Sequence, residues 1–188
     1  MGTYLRALIV SQIEVTVKFM QITKFRIFAA LSIAYAALIY YLSSLSSIDI
    51  PIKKYIEIPL AYQVKDFLEQ NGLSFIIDFA YYCYYNIDKI QHIVLYFGFG
   101  ILLYLTFFNS EKQNFKKYAA IFAIIVGILY GMTDEFHQSF VPGRVASTAD
   151  MFANGIGVTI AQIVILVLMF KKLINRKRKS STPTDNKG

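Results

Sequence analysis

Four stretches of this chain are long and apolar enough to cross a bilayer: Phe25 to Leu45, Ile90 to Phe108, Tyr118 to Gln138 and Ala149 to Phe170. The hydrocarbon core of a membrane is about 30 Å thick, which a helix covers in about 20 residues. Lipid offers no partner to a backbone N–H or C=O, so a crossing segment must satisfy these groups within itself, as an α-helix does. The expected fold is therefore all-α, an integral membrane four-helix bundle. Only 16% of the 188 residues are charged, against about a quarter in a soluble domain. No length remains for a large extra soluble domain, and one membrane domain over residues 25–172 is expected.

The basic residues set the orientation. Arg6, Lys18, Lys24 and Arg26 precede the first span, and Lys112, Lys116 and Lys117 lie between the second and third. Lys171, Lys172, Arg176, Lys177, Arg178, Lys179 and Lys187 follow the fourth. Nine acids, among them Asp88, Asp134, Glu135 and Asp150, fall on the opposite side. Positive loops stay inside, so both termini are expected in the cytoplasm, with the 46–89 loop and the 139–147 connection outside. Because the basic residues flank apolar spans, nucleic acid is excluded as a partner. The single cysteine, Cys83, excludes an intrachain disulfide framework and a four-cysteine metal site.

The ends are simpler. Residues 1–24 form an inner-face segment with no apolar core and cleavage site of a signal peptide. Either it is a short amphipathic helix, or translation begins at Met20, which a short basic run joins to the first span. Residues 173–188 read as a disordered basic tail, ending in Ser, Thr and Pro, that attracts anionic headgroups.

The loop between the first two spans carries Pro51, Pro59 and an Asn71-Gly72 turn. Tyr62, Val64, Phe67 and Leu68 interleave with Lys65, Asp66 and Glu69, which suggests a short interfacial helix. Leu73 to Phe79 is apolar but too short to span, and Tyr81, Tyr82, Tyr84 and Tyr85 make an aromatic belt. The segment is either an interfacial cap or a re-entrant lid.

Polar residues gather where a membrane protein should avoid them. Asp88, His92 and Tyr96 repeat at four-residue spacing on one face of the second span, with Lys89 beside them. Gly131, Glu135 and Gln138 share a face of the third, next to Asp134. Asp134 and Glu135 stand at a helix C-terminus, where the helix dipole disfavours negative charge; a cation or basic partner should compensate them. Gly127-x-x-x-Gly131 admits a second helix at close range. Pro142-Gly143 marks a tight turn before Arg144, which is expected either to pair with Glu135 or Asp150 or to grip a phosphate or carboxylate. Ser147 and Asp150 resemble a capping box, and Asp150, Asn154 and Gly157 share a face of the fourth span. Three helix ends thus bring polar faces to one depth, and ionisable groups at that depth mark a functional site by default.

These residues carry a resemblance. Asp88-Lys89-x-x-His92-x-x-x-Tyr96, Glu135-x-x-Gln138, Pro142-Gly143-Arg144 and Asp150-x-x-x-Asn154-x-x-Gly157 are similar to the pattern of the VanZ-like family of small multi-pass membrane proteins, over residues 27–170. Ala161 stands where that family often has a second glycine. The resemblance implies a helical bundle in the bacterial cell membrane. It also implies a tie to resistance against the glycopeptide antibiotic teicoplanin, with no settled mechanism.

Several functions fit. The first is binding of an anionic envelope lipid, a polyprenyl-linked cell-wall precursor or a glycopeptide at the outer leaflet. Arg144 and His92 would meet the headgroup, oriented by Gln138 and Asn154. The second is a hydrolase or transferase acting on such a lipid, with His92, Glu135 or Asp150 as catalytic candidates. A divalent cation on His92, Glu135 and Asp150 is compatible with the residue types, although no ligand-spacing signature supports one. A cysteine transpeptidase using Cys83, and a packing module with no ligand, complete the set.

Overall fold

The computed structural model describes residues 2–45 and 59–180. Among them are seven helices: α1 (Gly2–Ser44), α2 (Pro59–Gln70), α3 (Ser74–Tyr85), α4 (Ile87–Phe108), α5 (Gln113–Lys117), α6 (Ala119–Gln138) and α7 (Thr148–Ser180). Four are long and apolar enough to cross a membrane, over Ile9–Ser44, Ile87–Phe108, Ala119–Gln138 and Thr148–Arg178. The chain is an all-α membrane bundle, as the apolar stretches predict. Pro51, Lys53, Lys54 and the tail beyond Ser180 lie outside the described residues.

α4 sits at the centre of the bundle. Its most extensive packing is against α7, followed by α6 and α1. Tyr96, Phe99, Leu103 and Tyr104 of α4 form the core with Ile39 of α1, Ala119 and Ala123 of α6 and Val158 of α7. Small residues let the axes approach. A Cβ on Gly100 of α4 would meet Val158 and Ala161, and one on Gly127 of α6 would meet Val158. Ala161, the position that departs from the family glycine, is fully buried against Gly100. The glycine needed at that crossing stands on the partner helix. Outward residues such as Val94, Ile121, Leu129, Phe152 and Leu166 are exposed and apolar, as lipid-facing positions should be.

Both ends of the bundle differ from expectation. α1 runs unbroken for 43 residues, about 65 Å at 1.5 Å per residue, so residues 2–24 are not a separate inner-face helix. Every residue from Ile9 to Met20 is exposed. No proline or glycine interrupts the run after Gly2, and a helix already nucleated by the span extends at little cost. The same reasoning corrects the C-terminus: residues 173–180, expected to be disordered, continue α7. Lys and Arg are good helix formers, and the first proline of the tail is Pro183.

The loop segment is a helical hairpin. α2 and α3 pack on one another across Gly72, whose φ of +70° makes the turn. α3 has no buried residue, and the hairpin's other contact is with the start of α4. Among the described residues it has no substantial packing on α1, α6 or α7.

Candidate functional site

The three polar faces meet at one end of the bundle. α4 contributes its first three turns, α6 its last turn and α7 its first two. Glycine permits the approach, for a Cβ on Gly131 would fall 3.0 Å from the Asn154 Cβ and 3.3 Å from the Tyr96 ring. On the other side of Asn154, a Cβ on Gly157 would collide with the Ile93 carbonyl oxygen. Only a bare helix face fits there, so α4 and α7 run backbone against backbone beside the site.

Within this space the polar atoms pair across helices. The His92 Nδ1–H donates to Asn154 Oδ1 at 2.9 Å, and the same nitrogen lies 3.9 Å from Glu135 Oε1. The Tyr96 hydroxyl donates to Asp134 Oδ2 at 3.1 Å. Lys89 Nζ stands 2.7 Å from Asp88 Oδ2 and 3.5 Å from Asp150 Oδ1. The Ser147 backbone N–H donates to Glu135 Oε2 at 3.1 Å. In a capping box that donor would go to the acid of its own helix. Here a carboxylate from α6 takes the place of Asp150, which turns to Lys89.

Burial is nearly complete. Asn154 and Tyr96 are 0% exposed, Asp134 3% and Glu135 5%. Four buried atoms of the cluster accept or donate no hydrogen bond: Asp134 Oδ1, Glu135 Oε1, Asp150 Oδ1 and Asn154 Nδ2. Asp150 Oδ1 retains the Lys89 ammonium at ion-pair range. The cluster reaches the surface at Lys89, whose side chain is 34% exposed and pairs with the more exposed Asp88.

His92, Tyr96, Asp134, Glu135, Asp150 and Asn154 therefore come together in the structure, with Lys89 at their rim. Asp88 is outside the cluster, paired with Lys89. Gln138 is buried but serves another helix, its Nε2 donating to Ser43 Oγ of α1 at 3.2 Å. Arg144 is the main departure. It pairs with neither Glu135 nor Asp150. Its Nε donates to the Leu45 carbonyl at 2.9 Å and a terminal nitrogen reaches the Leu42 carbonyl at 3.4 Å. Leu42 O also accepts the Leu45 N–H; the carbonyls at a helix's end carry partial negative charge, which a guanidinium on the neighbouring loop complements.

The end of α1 escaped the sequence reading altogether. Ser44 Oγ lies 3.0 Å from His137 Nε2, Tyr40 stacks on His137 at 4.3 Å, and the Tyr130 hydroxyl donates to the Ala36 carbonyl at 2.6 Å. The Ser43-Ser44 pair closing an apolar run was the available signal. Cys83 is a free thiol on α3, and no hydrogen bond of the cluster involves it.

The donor set closest to a metal site differs from the one the sequence suggests. His92, Asp134 and Glu135 each offer a ligand atom, all within 4.8 Å of one another. Asp150 is drawn off by Lys89, and Asp134 takes its place.

A multi-pass membrane bundle with a buried histidine–carboxylate cluster at one end is the class this geometry defines. The chain belongs to the VanZ/LLP1 family, whose model matches residues 27–170 and so spans the bundle and every residue of the cluster. No curated protein and no solved structure shows significant similarity to it.

Proposed function

We propose that this protein is a membrane-embedded hydrolase or transferase of the bacterial cell envelope, acting on a lipid-linked cell-wall precursor at the outer leaflet. The observation that carries this reading is the pair of unpartnered carboxylate oxygens, Asp134 Oδ1 and Glu135 Oε1, buried beside His92. Buried polar atoms are nearly always paired when their role is structural. Acceptors held buried beside an imidazole are instead suited to take a proton. Water or an acceptor hydroxyl would give its proton to His92 or Glu135 as its oxygen attacks phosphorus. The bond to the leaving oxygen breaks, and that oxygen takes up a proton. Lys89, at the rim, meets the anionic phosphoryl group. The outward orientation rests on the basic residues at the opposite end of the bundle.

The test uses full-length protein in nanodiscs with polyprenyl-phosphate-linked substrates, read by mass spectrometry of the lipid products. Turnover is expected from the wild type and a loss of at least about 100-fold from His92→Ala and Glu135→Gln. Turnover unchanged in both variants would sink the catalytic assignment.

Binding without chemistry is the second reading, favoured by the Lys89 ammonium, a third exposed at the mouth of the cluster. On this reading the protein captures an anionic envelope lipid or a glycopeptide, and a role in glycopeptide resistance follows from capture alone. It predicts saturable binding of the lipid, weakened by Lys89→Met, with no product formed.

A further inference from the structure

We infer that His92, Asp134 and Glu135 form the binding site of a divalent transition-metal ion, in which His92 and Glu135 serve the proposed chemistry as ligands in place of taking the proton; the use of the ion rests on that chemistry, its existence does not. Two adjacent acids sit on the last turn of α6, 97% and 95% buried. Each keeps one oxygen fixed by a neighbour and one oxygen open. Tyr96 holds Asp134 Oδ2 and the Ser147 N–H holds Glu135 Oε2, while Asp134 Oδ1 and Glu135 Oε1 have no partner. A carboxylate held by its outer oxygen and free at its inner one is the arrangement by which neighbouring groups orient metal ligands.

Charge points the same way. Asp150 and Asp88 share Lys89, and Arg144 is committed to α1. Among the described residues, His92 is the one basic side chain beside the remaining two carboxylates. Two buried anions without a compensating charge are costly, and a divalent ion would neutralise them. Geometry admits it: three ligand atoms within 4.8 Å of one another close on an ion at about 2.0–2.2 Å by small side-chain rotations. Asn154 Oδ1 accepts the His92 Nδ1–H at 2.9 Å and so orients the imidazole of the site. One imidazole with carboxylate oxygens suits manganese, iron or zinc better than a thiolate-seeking ion.

Purified full-length protein, stripped with chelator in detergent, is titrated with Mn²⁺ alone by electron paramagnetic resonance and with Zn²⁺ alone by calorimetry. One equivalent should bind, with affinity at least 10-fold weaker in Asp134→Asn and Glu135→Gln and unchanged in Gln162→Met. The metal should raise the thermal midpoint of the wild type and leave that of Glu135→Gln unmoved. That comparison also reports whether the variant is folded. Saturable binding absent from the wild type up to millimolar metal, or undiminished in both amide variants, overturns the site. If the stripped protein turns over the lipid substrate as fast as untreated protein, the metal role fails and the enzymatic reading stands. If metal binds without turnover of any substrate, the reverse holds.

Discussion

Arg144 and Leu45 are joined by a 2.9 Å hydrogen bond that closes the end of α1 from a loop almost 100 residues later. Because the donor is charged, its loss should cost about 1.5–3 kcal/mol. Arg144→Gln should lower the unfolding midpoint in detergent, followed by circular dichroism, and Arg144→Lys should recover only part. If Arg144 instead served mainly to grip a headgroup, both variants would unfold like the wild type.

Two glycines in α7 separate close packing from mere helix propensity. Gly157→Ala sets a methyl against the Ile93 backbone, which cannot rotate away, and should destabilise by about 1–3 kcal/mol or more. Gly155→Ala meets only Ile128 Cγ1 at 3.7 Å, and the gain in helix propensity, up to about 1 kcal/mol, should make it neutral or stabilising. Midpoints of the two variants in one detergent decide it.

The Tyr96–Asp134 pair predicts non-additivity. Tyr96→Phe removes the donor at 3.1 Å and leaves both Asp134 oxygens unpartnered in a buried place, a loss of about 1–3 kcal/mol. Replacing Asp134 with leucine as well should restore part of that loss. The double variant should then be more stable than the sum of the singles by about 0.5 kcal/mol or more.

Gln162 contrasts with the cluster. It is 2% exposed, its Nε2 donates to the Gly100 carbonyl at 3.0 Å, and its Oε1 has no partner. Gly100 O belongs to a helix interior and already has its own helical donor. Gln162→Met should therefore change stability by less than about 1 kcal/mol and leave metal titration untouched, which the same two measurements report.

The four spans, their order and the convergence of His92, Tyr96, Glu135, Asp150 and Asn154 were legible because helical spacing fixes faces, and polar residues at one depth must share partners. Asp134 was legible as a member but not as the third donor beside His92 and Glu135. That depends on Lys89 drawing Asp150 away, a competition between helices that spacing does not encode. The carbonyl partners of Arg144 were not legible for a related reason: an arginine beside acids suggests a salt bridge, whereas backbone carbonyls are carried by every residue. The extensions of α1 and α7 were underestimated because composition marks where lipid ends, not where a helix ends.

The walls around the cluster are unequal. On one side α4 and α7 meet at Gly157 and Ile93 with no side chain between them, and nothing there can yield without parting two backbones. On the other, α1 is joined to α6 and its following loop largely through polar contacts at Ala36, Ser43, Ser44 and Leu45. Water or a lipid headgroup can replace such contacts one at a time. The seam between α1 and α6 is thus the wall of the cluster that parts at the lower cost.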